Sequence, residues 1–305
     1  KELGYVPDAA AQALASRRSR IIGLILTRDH HHLSSDAYIS QILDSLVAAV
    51  RKYDMRLLLD IVEEDHSPDA YLGLVQSNRI DGIIFSGPRF DDEALKLLSQ
   101  QKFPTVLMGQ LPGEEFYCVD VDNRQAARKA VKHLIKLGHI KIACITNANK
   151  TYSASADRLS GYQDALQEAG IAFDEKFVRF GDFDLESGYA QMKSLLDSAL
   201  SMTAVFVASD VVAFGAMAAI RERGLRIPQD IAMVGFDDVP LARFVEPYLS
   251  TIRLPASELS QRCFDILIQL IQGEQVEPKT ILLDTELVIR ESCGSNYIRT
   301  DPENS

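Results

Sequence analysis

The 305-residue chain has no apolar run of membrane-spanning length, no C-x-x-C pair and a shortage of positive charge, and each absence removes a class of function. Without about 20 consecutive apolar residues, no segment reads as a transmembrane helix. The first residues also lack the charged-then-apolar pattern of a secretion signal, so a cytoplasmic location and no membrane partner are expected. Cys118, Cys144, Cys263 and Cys293 are widely spread. That spacing suits separate buried, reduced thiols rather than a disulfide framework or a metal site. The formal charge of −11 excludes a protein whose whole surface holds nucleic acid. Lys1, Arg17, Arg18 and Arg20 against Glu2 and Asp8 nevertheless give the first 20 residues +2, leaving −13 on the rest, so any nucleic-acid contact belongs to that end. No nucleophile, base and orienter set, phosphate-cradling glycine loop or metal-ligand spacing is present, so neither an enzyme nor a cofactor is expected. His30-His31-His32 cannot all face one metal from a helix or strand and reads as a polar loop.

What is present is a globular composition, 47% apolar and 25% charged, at a length sufficient for two domains. Residues 204–238 form its clearest unit. Residues 204–208 are a short apolar run stopped by Ser209-Asp210, residues 211–223 show helical spacing, Gly224 can cap that helix in the left-handed conformation, and residues 231–236 form a second strand ending at Asp237-Asp238. A crossover of this length makes the strands parallel, with Asp210 and Asp237 at the same edge, where open α/β sheets place their ligands. Asp210 opens a helix and reads first as an N-cap. Asp237 is the better ligand candidate, because Pro240 and Pro247 break up the segment after it and leave no obvious helix start.

The same alternation runs along the chain. Strands are expected at 21–26, 56–62, 82–85, 105–108, 119–121, 141–146 and 176–180. Helices are expected at 37–53, 68–77, 91–101, 123–137, 156–170 and 185–200. Repeated β-α-β-α order with short turns means doubly wound parallel sheets, here as two similar halves in tandem. Residues 251–255 read as a connector, 257–272 as an amphipathic helix and 279–290 as one or two strands.

Several motifs resemble the lactose-repressor/galactose-repressor family of bacterial transcription regulators, and they span nearly the whole chain. Leu3-Gly-Tyr-Val-Pro-Asp8 before an Ala-rich helix is similar to that family's hinge. Val119-Asp-Val-Asp-Asn123, His133-Leu-Ile-Lys-Leu-Gly-His139, Arg158-Leu-Ser-Gly-Tyr162, Val234-Gly-Phe-Asp-Asp238, Pro247-Tyr-Leu-Ser-Thr-Ile252 and Val288-Ile-Arg-Glu-Ser292 come after it in the family's order. The departures are Gly109-Gln110, where many members have Asp-Arg, and Asp29-His-His-His-Leu33 in the first cleft loop.

The resemblance implies a two-lobed, periplasmic-binding-protein-like α/β fold with a ligand cleft. Its parts would be a hinge at 1–20, an amino-terminal subdomain at 21–146 and 254–284, a carboxyl-terminal subdomain at 147–253 and 285–293, and a tail at 294–305. It implies the effector-binding, dimerising core of a repressor controlled by a small ligand, most simply a sugar. A periplasmic sugar-binding protein of a transporter is the alternative, disfavoured by the hinge and the absent signal. Arg158 and Asp237 match the family's ligand-binding pair, and a guanidinium fork beside a carboxylate suits sugar hydroxyls. The alternative for Arg158 is a solvated position or a salt bridge to Asp157 or Asp164. Phe183 matches an aromatic platform, or else packs in the core. Ser209, Asn147, Asp29 and Ser86 complete the expected ligand set. Pro7, Ala11, Leu14, Arg17 and Arg18 make the expected hinge contact with operator DNA, with Leu14 as a minor-groove wedge or else packed on the first lobe. A homodimer using helix 37–53 is also implied.

Overall fold

The computed structural model describes residues 18–28, 36–62, 69–198 and 200–295. Pro7, Ala11, Leu14, Arg17, Asp29 and the three consecutive histidines lie outside them. In chain order, β1 (Ile21–Thr27), α1 (Ala37–Lys52), β2 (Arg56–Val62), α2 (Asp69–Gln76), β3 (Gly82–Ser86), α3 (Glu93–Gln101), β4 (Thr105–Met108) and β5 (Tyr117–Val121) come first. Next are α4 (Asn123–Lys136), β6 (Ile142–Thr146), α5 (Ser153–Glu168), β7 (Val178–Phe180), α6 (Leu185–Asp197), β8 (Ala204–Val207), α7 (Asp210–Glu222) and β9 (Ala232–Asp237). The chain ends with β10 (Thr251–Arg253), α8 (Ala256–Gln272), β11 (Thr280–Leu283) and β12 (Glu286–Val288).

These elements form two compact units. The first takes in Gln41–Val119, Ser257–Ile281 and the described residues before position 29; the second takes in Asp120–Ala256 and the described residues of 31–40 and 282–305. The first sheet has the order β11-β5-β4-β3-β1-β2. Its strands β1 to β5 pair in parallel. Ile22, Leu24, Ile25 and Leu26 of β1 and Ile83, Ile84 and Phe85 of β3 are wholly buried, as continuous apolar runs require in a sheet covered on both faces. Asp92 caps α3 by accepting from the Leu95 amide at 2.8 Å.

The second sheet, β12-β10-β9-β8-β6-β7, repeats that winding. Helix α7 is buried along most of its length because it lies deep against the sheet and against α6. Glycine makes that contact possible: a Cβ at Gly215 would stand 1.9 Å from the Leu185 carbonyl oxygen, and one at Gly188 would stand 2.0 Å from that of Val212. Gly224 comes after α7 with φ 73°, the left-handed conformation expected of it.

Two expectations about the elements fail in this half. Residues 251–253 are a strand rather than a connector: β10 pairs in parallel with β9 and antiparallel with β12. Three residues are too few to display strand alternation, so only the partners on either side define the element. A short 3-10 turn at Pro240–Arg243 also succeeds β9, where the prolines had suggested no helix start. All four cysteines are buried.

Candidate functional site

Strands β8 and β9 pair in parallel, so the residues after them share the carboxyl edge of the second sheet. There Asp237 and Asp238 adopt φ values of 118° and 56°, which a non-glycine residue holds only when its surroundings impose them. The surroundings here are specific. Asp238, with its side chain 1% exposed, is bound by Arg290, by Arg253 Nε at 2.7 Å and by Arg243 at 3.6 Å. The Leu254 amide donates to the Asp237 carbonyl at 3.2 Å. Strain held in this way makes Asp237 a candidate functional position.

Asp210 corrects its sequence reading. Ser209 occupies the N-cap position, without a side-chain cap bond, and Asp210 is the first residue of α7. Its carboxyl turns away from its own helix, accepts from the Val239 amide at 3.0 Å and shares a hydrogen bond of 2.6 Å with the Thr251 hydroxyl. It ties the segment after β9 to β10. The glycine of the Val234-Gly-Phe-Asp-Asp motif makes room for it, since a Cβ at Gly235 would lie 2.3 Å from Asp210 Oδ1.

Arg158 is 7% exposed, which disposes of the solvated alternative. Its Nε donates to Asn123 Oδ1 at 2.9 Å and its Nη1 to the Ala208 carbonyl at 2.7 Å. Its guanidinium lies 3.8 Å over the Phe236 ring. Nη1 also stands 3.9 Å from Asp237 Oδ1. Asp164, one of the two partners in the alternative reading, is taken instead by Arg124, at 2.6 Å. Local sequence explains this position. Gly161 lets α5 sit directly on α4, where a Cβ would be 2.1 Å from the Arg124 carbonyl oxygen, and the Tyr162 hydroxyl donates to the Ile142 carbonyl at 2.8 Å. Asn123 is held by Asp120 at 3.1 Å, so Asp120, Asn123, Arg158 and Asp237 form one chain of polar groups.

Asn147, just after β6, is 5% exposed. Its backbone carbonyl accepts from the Phe183 amide at 2.8 Å, whereas its side-chain Oδ1 has no hydrogen-bond partner. An orphaned buried acceptor is uncommon and leaves this oxygen open to a donor such as water or a ligand. Phe183 has φ 57° and meets the Tyr152 ring edge-on at 5.0 Å, so it is positioned by Tyr152 and by its amide bond. Ser209 is buried, and its hydroxyl favours the Asp237 carboxylate against the effect of burial. Ser86 ends β3 in the first unit and is buried, and Arg18 is exposed with Nη2 donating to the Ile271 carbonyl at 3.2 Å.

Sequence reasoning missed Asp36 and Tyr38. Asp36 caps α1, accepting from the Tyr38 and Ile39 amides at 2.9 and 3.1 Å, and is 6% exposed. Burial, then the charges of Asp237 and Asp120, push the Tyr38 phenol above its ordinary range, so it stays a neutral hydroxyl. Burial raises Asp237 to about 7, with Arg158 opposing and Asp36 adding to the rise. Only the helix-start pattern at Asp36 could have signalled this pair. Among the described residues no cluster of three or more His, Cys, Asp or Glu could hold a metal ion.

Residues 131–293 match the family described as a periplasmic binding protein-like domain. The transcriptional regulator CelR of Thermobifida fusca is 33% identical over 96% of this chain and 86% of its own length. The transcriptional repressor CytR of Escherichia coli K12 is 32% identical over 96% and 84%. The solved structure of a CelR–cellobiose complex superposes with a TM-score of 0.84 at 31% identity, covering 95% of this chain and 87% of that one. Its two doubly wound sheets, its motifs and these matches place the chain in the lactose-repressor/galactose-repressor family of transcriptional regulators, as the effector-binding core.

Proposed function

We propose that this core senses a neutral, hydroxyl-rich small molecule, a sugar, at the carboxyl edge of its second sheet, and that the ligand sets the affinity of the complete regulator for operator DNA. The observation that carries the reading is the combination of Arg158 and Asp237, 3.9 Å apart, with the unpartnered Asn147 Oδ1. That spacing exceeds a direct hydrogen bond and admits a ligand oxygen touching both groups. Asp36, Asp120, Asp237 and Asn147 are acceptors and suit a ligand rich in donors. Phe183 offers a ring face for a pyranose. The cellobiose bound by CelR is a compound of this class. Calorimetric titration with cellobiose and a panel of neutral sugars and nucleosides tests the assignment. Binding by the wild type and equal binding by Arg158→Ala and Asp237→Ala would remove both residues from the site.

A homodimer accompanies this reading. Leu241, Phe244 and Tyr248 are 48%, 77% and 45% exposed on one short segment of the second unit, and Val47 and Tyr53 are exposed on and just after α1. Exposed apolar groups of this kind suit a self-complementary two-fold contact. Light scattering at micromolar concentration should give twice the chain mass, and Phe244→Asp should lower it; a monomeric wild type would count against the dimer. Operator DNA is the partner proposed for Leu14, Ala11, Pro7, Arg17 and Arg18, in a cytoplasmic protein carrying a DNA-binding head. The effector then changes DNA affinity only as far as it prefers one conformation. Operator binding by the head-bearing protein, with and without effector, checks this, and ligand-independent affinity refutes it.

A further inference from the structure

Two buried aspartates, Asp210 and Asp237, lie at the edge of the second sheet, and ligand binding as proposed above uses only one of their carboxyl groups. Asp237 faces Arg158, and its Oδ2 lies 3.4 Å from the Asp210 amide nitrogen. Asp210 is wholly buried. Its carboxyl meets two uncharged groups, the Val239 amide at Oδ2 and the Thr251 hydroxyl at Oδ1. The cations of the region are spent elsewhere: Arg158 on Asp237, and Arg290, Arg253 and Arg243 on Asp238. An ionised Asp210 would be a charge removed from water, without a counter-ion and beside a like charge, which is the arrangement proteins avoid by neutralising the group.

The hydrogen-bond geometry accommodates a proton. The 2.6 Å contact between Asp210 Oδ1 and Thr251 Oγ1 is short enough for a carboxyl O–H donating to the hydroxyl. Thr251 Oγ1 in turn lies 3.5 Å from the Ile252 carbonyl, toward which its own proton can turn. Gly235 leaves the space that this carboxyl occupies, since a Cβ there would lie 2.3 Å from its Oδ1.

We propose that Asp210 is a positioning residue that stays protonated at neutral pH, tethering the Asp237–Val239 turn through Thr251 and the Val239 amide so that the site presents a single carboxylate, Asp237, to its ligand. The groups facing the pair are Arg158 from α5, Asp36 and Tyr38 from the start of α1, Ser209 ahead of α7, and Asp238 after β9, which three arginines neutralise. Burial, the Asp237 charge and, more weakly, Asp238 raise Asp210 well above the ordinary carboxylate range, in the same direction as the geometry. The assignment of Asp237 as the ligand's acceptor gives the tether its purpose, but the tether itself exists without ligand.

Carbon-detected NMR of the full chain labelled with 13C-aspartate tests this directly between pH 5 and 9, with Asp210→Asn and Asp237→Asn identifying the two carboxyl signals. The Asp210 carbon is expected at a protonated position at pH 7, and Asp237 is expected to titrate near 7. Asn can accept from the Val239 amide and donate to Thr251, so Asp210→Asn should leave the Asp237 midpoint unmoved, whereas Asp210→Val should displace it. Where Asp210→Val does not fold, Thr251→Val cuts one of the two tethers and should displace it in the same way. An ionised Asp210 signal at pH 7, or an Asp237 midpoint lowered by about a unit in Asp210→Asn, overturns the protonated state. A wild-type Asp237 titration in the folded tether-cutting variant overturns the positioning role. No ligand enters these measurements, so their failure leaves the effector assignment standing, and failure of that assignment leaves them intact.

Discussion

The two sheets share one winding and differ in what they place at their carboxyl edges. In the second, buried charge gathers: Arg158, Asp210, Asp237 and Asp238 are all 7% exposed or less. In the first, the strands β1 and β3 end in small neutral groups, Thr27 and Ser86, the Thr27 hydroxyl is spent on the Gly87 carbonyl, and the buried charge just after β1 is a cation, Arg28, 4% exposed, rather than a group of acids. A repeated fold therefore does not repeat its chemistry. The backbone supplies the edge, and a few side chains decide whether it can hold a polar ligand tightly.

The sharpest way to break this contrast is Arg158→Ala. It strands the Asn123 and Ala208 acceptors and leaves Asp237 without its cation, so sugar affinity should fall by about 2–4 kcal/mol in calorimetry. A loss below about 0.5 kcal/mol would mean that the charged edge is structural only.

Acidity gives the next effect. With Asp237 at about 7, sugar binding that needs its carboxylate should weaken as pH falls below 7, approaching tenfold per unit, and Asp237→Asn should flatten the profile. Stability runs the other way. Native Asp237 keeps a proton that the unfolded chain, with its carboxyl near about 3.9, has released, so its contribution is lost as pH rises from about 4 to 7. Urea midpoints at pH 5 and 7 should show Asp237→Asn gaining on the wild type at the higher pH.

Glycine substitutions compare the two sheets without any ligand. Gly235→Ala drives a Cβ to 2.3 Å from the Asp210 carboxyl and should cost about 1–3 kcal/mol in denaturant unfolding. Gly23→Ala, in β1, presses on the end of the Ile80 side chain at 3.2 Å, makes ordinary contacts with Ile25 and Ile83 at 3.7 Å, and should cost about 1 kcal/mol or less. Equal costs would show that the polar edge adds no rigidity. The smallest effect is expected from Ser86→Ala, which should change sugar affinity by about 1 kcal/mol or less; a larger loss would give the first sheet a share in recognition.

The alternation of apolar runs and helical spacing was enough to read two doubly wound sheets, because strands covered on both faces must be continuously apolar and their crossovers must be amphipathic. Motif order offered Arg158 and Asp237 as ligand-binding candidates by resemblance. Tertiary structure alone decided what the acids around them do. Asp210 has the sequence position of an N-cap, yet its carboxyl goes to Thr251, 41 residues away, and only the pairing of β9 with β10 brings that hydroxyl to it. Asp36 and Tyr38 precede Asp237 by about 200 residues, and no local pattern joins them to it. Local sequence fixes dihedral preference and the side of an element that is apolar. Which buried carboxyl finds a cation, and which keeps its proton, depends on distant groups brought within a few ångströms in a medium where charge is costly.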